Sequence, residues 1–257
     1  MKQMERRRDT IRLSEIAIIV KVVNDWEFAE NTSNKKLRPH VQDLYPYHRS
    51  GRLAALACRS EQAMAYRVHC WESANGLPNE IASMLRPHGG EVDLLLAMPE
   101  YKVPLPGSSR GESQNDIFAL ARAGDRTFAI MVEGKVREPF GETLHDWLQN
   151  ASDGKRERLA FICDLLGLTL PLPGHIYYQL LHRTASAVIE AQRFKTDAAA
   201  MIVHSFSQEK TWFEAFVQFA SLFDVAIAAN ELSAVPSKAV PSLYIGWACG
   251  DCKFLSA

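Results

Sequence analysis

Apolar positions along the chain change their spacing repeatedly, and each change marks an element. EVDLLLAM, Glu91 to Met98, reads as a strand, and the Pro/Gly/Ser-rich stretch VPLPGSSRGES connects it to a second, DIFALAR. A turn leads to a third, TFAIMVEGK, and further on AAAMIVHSF and LYIGWACG read as a buried strand and a final short strand. Helical composition fills the intervals. Arg59 to Ala74 suits a helix ended by Asn75-Gly76, and Pro78 sits where a first-turn proline opens another, running through Leu85 and stopped by RPHGG. Thr143 to Gln149 and Lys155 to Leu166 follow, the latter closed by Gly167 and the Pro171/Pro173 pair. IYYQLLHRTASAVIEAQRF and WFEAFVQFASLF complete the helices. Near the start, IRLSEIAIIVKVV at 11–23 fits helix or buried strand equally, and 30–40 reads as a polar loop.

The order is therefore helix, three consecutive strands, helices, strand, helix, strand. Strands joined by a short turn must be antiparallel, while those reached through helices can be parallel. The expectation is an α/β domain with a mixed central sheet flanked by helices, spanning 59–257, with an N-terminal extension over 1–58.

The hairpin between the second and third strands concentrates the chemistry. With Gly124-Asp125 as a two-residue loop, Ala123 faces Arg126, and counting outward along both strands sets Asp116 opposite Glu133. Directly opposed residues hold their Cβ atoms about 4.5–5.5 Å apart. The period of two puts Glu133 and Lys135 on one face with Ala129 and Met131, and Phe128, Ile130 and Val132 on the other. Two carboxylates that close repel unless a cation lies between them. Mg²⁺ suits such a pair, takes phosphate and water as further ligands, and lowers the pKa of a bound water. A lysine two residues on would hold or deprotonate that water, or stabilise charge on a phosphate. Pattern alone leaves a second reading open, a charged strand end with Glu133 and Lys135 solvated at the sheet edge.

Asp116 heading one strand, with Glu133-Gly134-Lys135 ending the next, resembles the PD-(D/E)xK phosphodiesterase superfamily over roughly residues 59–206. Asn115 stands where the motif has proline. The resemblance implies a three-layer restriction endonuclease-like core acting as a nuclease on DNA. It implies Mg²⁺ (or Mn²⁺) on Asp116 and Glu133, with Lys135 assisting the water. Such enzymes often add a carboxylate from the first helix, for which Glu80 and Glu72 are candidates, and Glu100 is another. Relatives also place polar residues on a later helix. Here Gln179, His182 and Arg183 share one helical face, which suits phosphate or a base edge, or else a solvated patch. The blocks EGKVREPFGE, YQLLHRTASAVIEA and IVHSFS are similar to a bacterial branch of this fold with no established activity. Restriction-type relatives often work as homodimers, though no residue pattern marks a dimer surface.

Charge and cysteine content refine this. With 257 residues, a net charge of -1 and a pI near 6.7, the chain is no polybasic binder, although Lys155, Arg156 and Arg158 at one helix start are candidate phosphate contacts. A catalytically silent nucleic-acid-binding or protein-interaction module on the same fold is the alternative function, and a small-molecule enzyme using these carboxylates a third. No apolar run approaches a membrane span and the first residues lack a secretory signal's apolar centre, so a cytoplasmic protein is expected. Five cysteines suit free buried thiols. The terminal CGDC alone lacks the four ligands of a structural zinc site, and His204 reads as a core histidine.

Overall fold

The computed structural model describes residues 70–256 apart from 72, 75, 108–110 and 237–240. The N-terminal extension, the 11–23 run and Glu72 lie outside the described residues. Six strands form one sheet in the order β1-β2-β3-β4-β6-β5. They are β1 (Val92–Pro104), β2 (Glu112–Ala123), β3 (Arg126–Lys135), β4 (Ala198–Ser205), β5 (Leu232–Ala234) and β6 (Ser242–Cys249). β1, β2 and β3 pair antiparallel, β3, β4 and β6 run parallel, and β5 returns antiparallel on β6. The expected mixed α/β architecture is what the chain forms.

The helices are α1 (Asn79–Leu85), α2 (Leu144–Leu148), α3 (Asp153–Leu166), α4 (Tyr178–Phe194) and α5 (Phe213–Ala220). Their ends follow the residues that favour them. Thr143 and Ser152 accept N–H bonds as caps of α2 and α3, and Gly167 closes α3 in the left-handed region.

Strand alternation divides the interior into two apolar layers. Ala129 and Met131 of β3, Met201 and Val203 of β4, and Ile245 and Trp247 of β6 pack with α3, α4 and α5. Phe128, Ile130, Val132, Ala200 and Ile202 point the other way, toward α1 and Trp71. Helices on both faces of a sheet make the three-layer arrangement. The aromatic row of α5 is core as expected, with Phe216 and Phe219 fully buried and Phe216 tilted against Trp247.

Three boundaries differ from the sequence expectation, the first being that β2 starts at Glu112, so Asp116 lies within the strand and does not head it. β1 does not stop at Met98 but continues through Pro99 to Pro104. Proline cannot donate to a ladder, yet among the described residues β1 pairs with β2 alone, so the missing N–H costs little there. Irregularity marks the passage: the register slips between Leu94 and Leu96, and Glu100 has φ 52. β5, three residues long, carries too little pattern to be read in advance.

Candidate functional site

The site begins at the hairpin turn. Ala123 pairs with Arg126 as expected, and the ladder runs without a slip to Ile117 opposite Val132. Gly124, at the first central position, has φ 57, as a type II′ turn demands. One step beyond the last ladder pair stand Asp116 and Glu133. There the Asp116 carboxylate replaces a backbone acceptor: Oδ2 takes the N–H of Gly134 at 2.7 Å. Asn115, in the place of the motif's proline, is buried and donates from Nδ2 to the carbonyls of Tyr101 and Ser113, tying β2 to β1 beside the Glu100 kink.

Glu133 and Lys135 are each 3% exposed, which overturns the reading of a solvated strand end. β3 is an inner strand, and α4 lies across its face. Lys135 Nζ lies 2.7 Å from Glu133 Oε1 and donates to Gln179 Oε1 at 3.2 Å, while also sitting over the Phe140 ring. Gln179 Nε2 donates to the same Oε1 at 2.9 Å, and Arg183 Nε donates to Oε2 at 2.7 Å. Buried charges are tolerable only with such pairing.

The polar face of α4 is therefore neither a solvated patch nor an outward-facing reader. Gln179 and Arg183 close on Glu133, while His182 Nδ1 and Arg183 both reach Ser113 Oγ, at 2.8 and 3.3 Å. Burial, and then the charge of Arg183, hold His182 down to about 3, so it is neutral across the physiological range. Ser113, buried at the centre of this network, carried no signal in the sequence.

Other expected participants lie elsewhere. Glu80 does not join Asp116 and Glu133. It accepts from His204 Nε2 at 2.8 Å and from the Cys70 thiol at 3.7 Å. His204 continues the row of β4 residues that face α1, Ala198, Ala200 and Ile202, on the side of the sheet away from Glu133. Glu100 hydrogen-bonds Gln114 across the β1–β2 pair. Lys155 Nζ donates to the Trp147 carbonyl and Arg158 Nε to the Pro106 carbonyl, so both tie the fold together, while Arg156 is exposed. Free thiols are as expected at Cys70 and Cys163, both buried, but Cys252 is exposed.

Asp116 and Glu133 carry the kind of hard oxygen atoms that Mg²⁺ takes. Lys135 and Arg183 already supply Glu133 with positive charge, so an ion on Glu133 competes with one of them. Among the described residues no helix is long and apolar enough to cross a membrane.

Fold and site together define an α/β protein with a buried carboxylate–cation cluster at the end of a central hairpin. The chain belongs to the family described as a domain of unknown function (DUF6946), whose pattern matches residues 56–252. Comparison with curated proteins and with solved structures finds no match.

Proposed function

We propose that the chain is a metal-dependent nuclease of the PD-(D/E)xK, restriction endonuclease-like type, hydrolysing DNA phosphodiester bonds in the cytoplasm. One observation carries this reading. The hairpin ends with Asp116 Oδ2 2.7 Å from the N–H of Gly134, the residue between Glu133 and Lys135, and Lys135 Nζ stands 2.7 Å from Glu133. Two carboxylates and an ammonium at the end of the β2–β3 ladder are groups a phosphodiester hydrolase needs. Mg²⁺ or Mn²⁺, held by Asp116 and Glu133, would supply charge to the phosphate and acidify the attacking water. Lys135 would orient that water and stabilise the charge developing on the phosphate. Gln179, bonded to both Lys135 and Glu133, fixes their relative position. Arg183, which donates to Oε2, would be released by an ion on Glu133 and could then bind a phosphate oxygen.

A second reading, a hydrolytically silent nucleic-acid-binding or protein-interaction module, is favoured by the near-complete burial of Glu133 among three donors. Mg²⁺- or Mn²⁺-dependent cleavage of plasmid and single-stranded DNA separates the two, with wild type beside Lys135→Ala and Asp116→Ala at matched folding. Cleavage lost in both variants supports the nuclease. Wild-type protein that neither cuts nor binds either ion transfers the case to the silent module.

A further inference from the structure

On the face of the sheet away from Glu133, three side chains of different chemistry converge. Cys70 precedes α1, Glu80 lies in its first turn, and His204 sits near the end of β4. Their sulfur, oxygen and nitrogen atoms all lie within 4.8 Å of one another. Cys70 and His204 are 2% and 1% exposed, and Glu80 is half-buried. We propose that Cys70 Sγ, a Glu80 carboxylate oxygen and His204 Nε2 bind a Zn²⁺-class divalent ion, at a site separate from the hairpin and independent of the nuclease reading.

The donor set selects the ion. Mg²⁺ and Ca²⁺ take oxygen ligands, whereas thiolate, imidazole and carboxylate together are the ligands of Zn²⁺. Zn²⁺ holds such atoms at about 2.0–2.3 Å, which spreads neighbouring ligands roughly 3–4 Å apart. The observed 2.8 Å from His204 Nε2 to Glu80 and 3.7 Å from Cys70 Sγ to Glu80 lie close to that spacing. An ion enters with small side-chain shifts. On binding, the thiol proton leaves to solvent, and the imidazole proton moves from Nε2 to Nδ1.

Two features of the surroundings fit this use. The chain after β6 passes close to the imidazole at Gly250, where an added Cβ would lie 3.0 Å from His204 Nε2 and 2.5 Å from the Phe206 ring. Glycine there leaves room at the nitrogen that would bind. On the open side, Cys70 and Glu80 line a cavity of about 240 Å³ together with Asp251 and Lys253. Three protein ligands with a fourth position facing a cavity is the arrangement of an accessible zinc centre.

The test uses the full chain. Zn²⁺ titrated against a chromophoric chelator should load one equivalent, and Cys70→Ser and His204→Gln should each weaken it by more than the roughly 10–100-fold that loss of an outer-shell partner costs. Co²⁺-loaded wild type should show a thiolate-to-metal charge-transfer band that Cys70→Ser lacks. A double Cys249→Ser, Cys252→Ser variant should keep both. ¹⁵N shifts of His204 in wild type should report the proton's transfer to Nδ1 on loading, a readout that stands even where a variant folds poorly. An absent thiolate band, an unmoved tautomer, or Zn²⁺ binding that survives in Cys70→Ser but vanishes in the double variant would overturn the site.

Discussion

Arg183 Nε lies 2.7 Å from Glu133 Oε2, with the two side chains 9% and 3% exposed. A helix residue thus supplies half the positive charge around a carboxylate set in place by a hairpin turn. Removing either partner leaves the other charged group buried. Glu133→Gln or Arg183→Met should each cost about 3–5 kcal/mol of unfolding free energy by urea denaturation. The double variant should cost clearly less than the sum of the two. Additive losses would show that the pair is not energetically coupled.

Asp116 Oδ2 accepts the N–H of Gly134 beyond the last ladder pair of the hairpin. Asp116→Asn keeps an oxygen acceptor there, so its stability should stay within about 1 kcal/mol of wild type, while Asp116→Ala should lose about 1–3 kcal/mol. Metal-dependent cleavage should fall at least ~100-fold in both. An Asn variant that cuts at the wild-type rate would remove the Asp116 charge from the mechanism.

His182 gives stability a pH dependence. Its folded pKa of about 3 lies below the ordinary 6.5. The unfolded chain therefore takes up a proton that the folded chain refuses. This contribution is fully present above pH 6.5 and is lost as the pH falls toward 3, by up to roughly 1.4 kcal/mol per pH unit. Urea midpoints measured between about pH 6 and pH 4 should fall less steeply in His182→Gln than in wild type. Parallel slopes would mean the proton is taken up elsewhere.

Phe118 is fully buried and stacked on Tyr101 with ring centroids 4.7 Å apart. Phe118→Ala should cost about 3–5 kcal/mol. Phe161, 36% exposed on α3, should cost no more than about 0.5 kcal/mol when changed to alanine. Thermal denaturation of the two variants side by side checks the assignment of the core.

How much of this was legible varied with the kind of information each feature needs. The pairing around Gly124-Asp125 follows from a two-residue turn and a period of two, both local, so the register up to Asp116 and Glu133 could be counted out. The face shared by Gln179, His182 and Arg183 was equally plain, since helical spacing is local. What that face meets was not, because only packing decides whether a helix turns arginine toward water or toward Glu133. Glu80 failed for the same reason. A carboxylate in the helix before a sheet carries no mark of which side of the sheet it will occupy, and its partners, Cys70 and His204, are far from it or from each other in the chain. Pro99 misled in a different way. It signals a strand's end only where both sides of the strand need donors, and among the described residues β1 has one side unpaired.

That unpaired side bears on assembly. Pro99, Pro104, the slip between Leu94 and Leu96 and the turned-over backbone at Glu100 interrupt the outer rim of β1, so a neighbouring copy finds no continuous row of groups to zip against. At the opposite rim, β5 is only three residues long. The sheet is blunted at both rims, against fibre-like stacking in a crowded cell. A second copy docking on the described residues would have to meet them through helices and loops, leaving the paired strands intact.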